Sequence, residues 1–452
     1  MTRPLLGVIA DDLTGACDVA DAIAQSGLSV IVLLGVPAED SPADADCVVV
    51  ALKSRTISPA DAVAVSTAST DWLLAHGARS IYQKYCSTFD STDRGNIGPV
   101  SDALAGLVGR RRSPASAGGS LLSVGTPATP AVGRTQYLGH LFVGRQLLSE
   151  SPLRHHPLTP MTDSDLVRVL GRQTPNPVSV VDLPAVFGGT AVVRAHLAAL
   201  ASAGAAHVLV DAVTDDDLDV IADAVMHDSG GSPLLLAGAA GFAGALARTL
   251  VRRAEQDLAL PGRSSTRNSL PAVAGGRRVI ISGSASARSR EQAAAFDGPV
   301  VSFDPLSVSQ GVVTVEDLHT QLAEALATSG ERPVLVGPTG AADADGTERV
   351  RAVQALLGVE ASAEVVERTL SAVASRAVDE LGVRSLIVAG GETSGAVAGA
   401  LGVRNLRLGA SAARGVPWMV ADTGHGFPVA LLLKSGNFGD VDLFTTAWEV
   451  AP

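Results

Sequence analysis

"LLGVIADDLTGACDVADAIAQ", residues 5–25, sets the fold. Residues 5–10 form a short, almost wholly apolar run, as in a strand buried on both faces. Two carboxylates and a Thr-Gly pair interrupt it as a loop, and a helix follows from about Cys17 to Gln25. A strand that turns through polar residues into a helix opens a βαβ unit. The pattern recurs. Residues 29–35, 46–52 and 79–85 read as further strands, and residues 58–77 as a helix with Ser58 as N-cap and Pro59 in its first turn. Apolar strands alternating with helices predict an α/β protein with a mostly parallel, doubly wound sheet. Such sheets bind ligands at the carboxyl ends of their strands.

The chain has 452 residues, 46% of them hydrophobic. A single core stops growing near ~250–300 residues, so two domains are expected. Residues 109–120 read as a loop. The α/β rhythm continues to about Leu250, breaks in a stretch rich in Pro, Gly, Ser and Arg, and resumes at "VIISGSASARSREQ". The expected division is residues 1–250, a linker 251–278, and residues 279–452. No short-period repeat is evident.

Composition removes several classes of function. The net charge of −12 argues against a nucleic-acid surface. No apolar run reaches the about 18–20 residues of a spanning helix, and the first residues do not read as a secretory signal. Three cysteines (Cys17, Cys47, Cys86) without metal spacing fit a soluble cytoplasmic protein with reduced thiols. Self-assembly as a homo-oligomer stays open.

Basic residues are nearly all arginine, and the only lysines are Lys53, Lys84 and Lys434. A lysine kept against that bias suggests a place where a compact ammonium is needed. Lys84 opens "KYCSTFDSTDRGN", one of three strand-end segments in the first half; the others are "DDLTGACD" and "KSRT". Together they carry Asp11, Asp12, Asp18, Lys53, Arg55, Lys84, Asp90, Asp93 and Arg94. Paired carboxylates after a strand suit proton abstraction or a divalent cation; equally, a loop Asp caps a helix or makes an Asx-turn. Cations among Ser, Thr and Asn fit a small hydroxylated acid. In "RHHP", residues 154–157, two adjacent histidines point to different faces, and no third ligand lies at usable spacing, so no metal site is assigned. The segment around it reads as a rigid loop leading to a helix capped at Thr162 or Asp163.

The second half places glycine and hydroxyl turns between strands and helices: "SGSAS", "GGETSG" and "KSGNFG". Such turns offer free backbone N–H groups to an anion. Neither a Walker G-x-x-x-x-G-K-[ST] nor a G-x-G-x-x-G fingerprint is present. One half suits a small polyhydroxy acid and the other phosphates, which points to a two-domain phosphotransferase.

In order along the chain, "IADDLTGACDVA", "YCSTFDSTDRGNIGPV", "GRTQYLGHLFVG", "SESPLRHHPLTPMTDSDLVRVL", "VAGGETSGAV", "GVPWM" and "LLLKSGNFGD" resemble the four-carbon acid sugar kinases. Within that family, "YCSTFDST…GNIGPV" and "HHPLTPMTDS" are most similar to the 3-oxo-tetronate 4-kinases. Arg94 in "STDRGN" is more typical of the wider family, and "SVGTPATPAVGRT" departs from its usual wording. The resemblance implies an N-terminal acid-sugar-binding domain and a C-terminal nucleotide-binding domain, both doubly wound α/β, with a cleft between them. It implies ATP-dependent phosphorylation of the terminal hydroxyl of a four-carbon sugar acid, 3-oxo-tetronate first, with threonate or erythronate as alternatives. An aldolase or dehydratase using Lys84 as a Schiff-base amine is the reading from another enzyme class, and a nucleotide-binding sugar-acid sensor the non-catalytic one. Carried over by motif, Asp12 and Asp11 would be catalytic, and Arg55, Lys84, Asp90, Ser91, Arg94 and Asn96 would bind the acid. Ser282, Ser284, Gly390, Gly391, Glu392, Thr393 and Gly436 would bind ATP, with Mg2+ on its phosphates.

Overall fold

The computed structural model describes residues 4–112, 121–155, 159–226, 234–256, 270, 273, 275–339 and 346–452. The chain divides into two compact units, Met1–Arg267 and Asn268–Pro452.

The first unit carries strands β1 (Leu6–Ala10), β2 (Val30–Leu34), β3 (Cys47–Ala51), β4 (Ser80–Lys84), β5 (Ser123–Thr126), β6 (Arg134–Tyr137), β7 (His140–Val143), β8 (Gln146–Leu147), β9 (Val178–Val181), β10 (His207–Val210) and β11 (Leu235–Gly238). Its helices are α1 (Leu13–Ala24), α2 (Pro59–Ala75), α3 (Ile97–Arg112), α4 (Leu166–Gly171), α5 (Leu183–Phe187), α6 (Thr190–Ser202), α7 (Asp215–Met226) and α8 (Ala240–Gln256). The main sheet runs β2-β3-β1-β4-β11-β5-β10-β9, every pairing parallel. β3 and then β2 lie on one side of β1, and the chain crosses after β3 to β4 on the other side. That reversal is where doubly wound sheets open a crevice. Ala10 is in register with both Ala51 and Lys84, so three strands end side by side. Residues 134–147 form a separate antiparallel sheet, β6-β7-β8. The buried Asp211 carboxylate pins it by accepting from Gln136 Nε2 and Gly139 N, each at 3.0 Å.

The second unit carries β12 (Arg277–Ser282), β13 (Val300–Phe303), β14 (Val334–Pro338), β15 (Val383–Ala389), β16 (Asn405–Ala413), β17 (Val416–Asp422) and β18 (Pro428–Lys434). Its helices are α9 (Ala287–Ala295), α10 (Pro305–Ser309), α11 (Val315–Thr328), α12 (Gly346–Leu357), α13 (Val359–Glu380), α14 (Gly391–Ala400) and α15 (Leu443–Thr446). Its strands run β13-β14-β12-β15-β18-β17-β16, parallel as far as β18, with β17 and β16 antiparallel. The order reverses at β12, so β12, β15 and β18 end together. Trp418, Phe444 and Leu432 pack one face of this sheet.

Three local expectations are corrected. Helix α1 begins at Leu13, not near Cys17, because Asp12 caps it through Gly15 N; the polar residues that read as loop are its cap and first turn. Helix α3 continues to Arg112, into the segment expected to be loop, since arginine favours helix; residues 113–120 lie outside the described residues. Helix α4 is capped by Asp165 rather than Thr162 or Asp163. Asp163 instead accepts from Arg168 Nε at 2.6 Å. Of the expected linker, residues 257–269 lie outside the described residues, and so do His156 and Pro157 of "RHHP".

Candidate functional site

In the first unit, the ends of β1, β3 and β4 meet. Asp11 N donates to Lys84 O at 3.3 Å and Ser54 N to Asp11 O at 3.0 Å, tying the three strand ends together. Arg55 then enters a nest of carboxylates. Its Nε and Nη2 each lie 2.8 Å from Asp11, Nη2 is 2.9 Å from Asp12, and Nη1 is 3.7 Å from Asp90. Burial works against the Arg55 charge, but Asp11 and Asp12 outweigh it and push the pKa well above the ordinary value. This guanidinium is therefore held by the aspartates while it lines the cavity.

Asp12 accepts from Gly15 N at 2.9 Å and Thr14 Oγ1 at 3.0 Å. Burial alone would raise its pKa, yet Arg55, Lys84 and these two hydrogen bonds together lower it. The carboxylate stays ionised while its side chain remains 26% exposed, more than Asp11 or Asp90.

Lys84 is 3% exposed, and its Nζ donates to Tyr85 O at 3.0 Å. Among the described residues no carboxylate pairs with it within 4.0 Å. A Cβ placed on Gly15 would stand 2.2 Å from Asp12 Oδ1 and 3.1 Å from Lys84 Nζ. Carboxylate and ammonium thus both lie close over one glycine, which leaves no room for a side chain on residue 15.

Asp11, Arg55, Lys84, Asp90, Ser91 and Asn96 line one cavity, joined by Ser54, Ser66, Gln83 and Tyr85. Asp12 adjoins it through Arg55. Arg94 stands apart, exposed on the loop. Asn96 Nδ2 donates to Ser54 O, Arg55 O and Ile57 O at 2.7, 3.3 and 2.9 Å, which holds the Arg55 loop. Its Oδ1 is buried without a hydrogen-bond partner.

Other groups hold the loop from behind. Gln173 Nε2 donates to Ser91 Oγ at 2.8 Å and Thr92 O at 2.7 Å, and its Oε1 accepts from Gly98 N at 3.0 Å. Phe89, wholly buried edge-on to Tyr85, sits at φ 51°. A bulky residue there is strained, and its burial carries the chain round so that Asp90 faces the cavity. Asp90 Oδ1 accepts from Thr88 Oγ1 at 2.6 Å. Thr88 lies within the segment the sequence singles out, whereas Gln173 carries no sequence signal; only the folded loop gives it a task.

In the second unit, Ser282, Ser284, Gly390, Gly391, Glu392, Thr393 and Gly436 gather where β12, β15 and β18 end. Gly390, at φ 121°, starts α14 and offers no side-chain cap to its first N–H groups. A Cβ on Gly283 would meet Thr393 Oγ1 at 2.2 Å, and one on Gly436 would meet Ser284 Oγ at 2.5 Å. The turns are therefore in direct contact, and only glycine permits it. Ser282 Oγ is buried without a partner. Uncapped amides, hydroxyls and bare glycine backbone make an anion cradle. Among the described residues no group of three or more His, Cys, Asp or Glu side chains could hold a metal ion, and no helix is long and apolar enough to cross a membrane.

Comparison with known proteins follows the same division. Residues 6–246 match the family described as a sugar-binding N-terminal domain, and residues 279–444 the one described as a nucleotide-binding C-terminal domain. The chain is 46% identical over 449 residues to a 3-oxo-tetronate kinase of Burkholderia multivorans, covering 99% of this chain and 97% of that protein. To a 3-oxo-tetronate kinase of Cupriavidus necator it is 44% identical over 451 residues, covering 98% and 96%. A crystal structure from Salmonella typhimurium LT2, provisionally named a tRNA synthase, matches at TM-score 0.80 and 34% identity over 99% of both chains.

Proposed function

The chain belongs to the four-carbon acid sugar kinase family, and on that premise we propose that it transfers the γ-phosphoryl group of ATP to the terminal (4-) hydroxyl of 3-oxo-tetronate. The observation that carries the reading is the first unit's cavity, where the buried ammonium of Lys84, without an ion-pair partner among the described residues, stands beside an aspartate pair. Full-length identity to 3-oxo-tetronate kinases supports the substrate, and the acidic net charge of −12 disfavours a tRNA substrate.

Phosphoryl transfer proceeds through a loose transition state, so positioning and charge neutralisation matter more than a strong base. Lys84 attracts the anionic acid, and the unpartnered Asn96 Oδ1 accepts from one of its hydroxyls. Asp12 orients the terminal hydroxyl. Its oxygen attacks the γ-phosphorus, the bond to the β-bridging oxygen breaks, and ADP leaves. A carboxylate with a lowered pKa takes the proton late, once the hydroxyl oxygen carries the new phosphorus bond. Asp11 holds Arg55, which fixes Asp12. The second unit's cradle receives the phosphates on the amides at the start of α14. The hydroxyls of Ser284 and Thr393 would be the protein oxygens nearest a magnesium ion carried on those phosphates, which would supply further charge neutralisation.

The test is ATP-dependent phosphorylation of 3-oxo-tetronate, threonate and erythronate, with the product position read by phosphorus NMR. A 4-phosphate formed fastest from 3-oxo-tetronate is expected. Absence of acid-dependent ADP release with all three would overturn the reading.

A further inference from the structure

Lys434 ends β18, its Cα in register with Ala389. It is 0% exposed. Its Nζ donates to Ser289 Oγ at 3.1 Å and Gly436 O at 3.2 Å, and lies 5.9 Å from the Phe444 ring centre. The same Gly436 carbonyl accepts from Ser286 Oγ at 2.7 Å and Ser289 Oγ at 2.9 Å. Every one of these partners is neutral.

Charged groups stand on the surrounding elements, several of them engaged elsewhere. On α9, Glu291 pairs with Arg288 at 3.4 Å and Arg290 donates to Ala285 O at 3.0 Å. On β15, Arg384 donates to Val378 O at 2.9 Å. Glu392 is exposed on the first turn of α14, and Asp440 and Asp442 precede α15. Among the described residues no carboxylate pairs with Nζ within 4.0 Å. A buried ammonium without a counter-charge is costly. Burial, with Arg288 adding repulsion, pulls its pKa down to about 7.

The ammonium lies under the anion cradle. Gly390 N donates to Lys434 O at 3.0 Å, and the Gly436 turn that Lys434 holds packs against Ser284. We propose that Lys434 is the counter-charge to the phosphates of the bound nucleotide, acting from beneath the Gly436 turn, and that nucleotide binding is thereby coupled to uptake of a proton by this side chain. The inference rests on the assignment of the second unit as the ATP site. The sign follows from linkage. A bound anion favours the charged lysine, so above the unliganded pKa binding draws a proton in, and affinity falls as pH rises. Well below that pKa the lysine is already charged and no uptake occurs.

ADP titrated calorimetrically into the full chain at pH 8, in two buffers of different ionisation enthalpy, reads the uptake. The terminal phosphate of ADP, with a pKa near ~6, is silent at that pH. The wild type is expected to take up close to one proton per ADP. Lys434→Met should abolish uptake and weaken ADP by about tenfold or more. Arg288→Ala, at a partly exposed position, relieves repulsion on the free lysine and should reduce the uptake at pH 8. Wild-type ADP binding without uptake overturns the proposal alone, as does a folded Lys434→Met chain with unchanged uptake. Should Lys434→Met fail to fold, unchanged uptake in Arg288→Ala overturns it. A wild type that binds no ADP overturns the site assignment as well.

Discussion

Asp12 performs two tasks that a sequence reading sets against each other. It caps a helix and it faces the cavity. The cap hydrogen bonds and the two cations lower its pKa below the ordinary 3.8, so the carboxylate stays charged down to acid pH. Rate loss through Asp12 is expected only as pH falls through that lowered value, leaving its contribution flat between about pH 5 and 8. A pH–kcat profile at saturating substrates checks this, and an acid limb near neutrality that disappears in Asp12→Asn would contradict it. Asp12→Asn itself should lower kcat by about 10²–10⁴-fold with ADP affinity unchanged; near-normal turnover removes Asp12 from the chemistry. Lys84→Ala should raise KM for the sugar acid about tenfold or more and leave KM for ATP alone. Lys84→Arg should rescue it only in part, because the buried ammonium acts as a compact charge beside Asp12.

At the scale of elements, the site depends on how strand ends are held. Asn96, just before α3, clamps three backbone carbonyls of the loop after β3. Removing such buried bonds costs about 1–3 kcal/mol, so Asn96→Ala should lower thermal stability and reduce kcat/KM for the acid as Arg55 shifts. A variant with wild-type melting and activity would show that the clamp is idle. The sequence makes Asn96 visible as a polar residue beside a strand end. It does not disclose that one amide serves three carbonyls, because those lie 39–42 residues away. The β6-β7-β8 sheet was equally illegible: its strands are short and lack strict alternation, and they are fixed by a carboxylate, Asp211, 72–75 residues distant.

For the whole molecule, the two ligands should leave different footprints. Saturating ADP, at about a hundredfold its Kd, stabilises the folded state by about 2.7 kcal/mol. Hydrogen exchange should slow at residues 282–289, 389–394 and 434–437 with ADP, and at residues 11–16, 53–57 and 84–98 with the sugar acid. ADP protection confined to the second set would reverse the assignment of the units.

The sequence by itself determined the α/β class and the strand-end segments that carry chemistry, because apolar runs and glycine turns are local signals. Family membership was legible too, since the matching motifs run in order through the chain. The tertiary structure decided which neighbours each of those charges has. Arg55 is enclosed by Asp11 and Asp12, whereas Lys84 and Lys434 are buried with neutral hydrogen-bond partners. A charge's availability depends on its neighbours in space, and parallel pairing brings those neighbours from residues far apart in the chain.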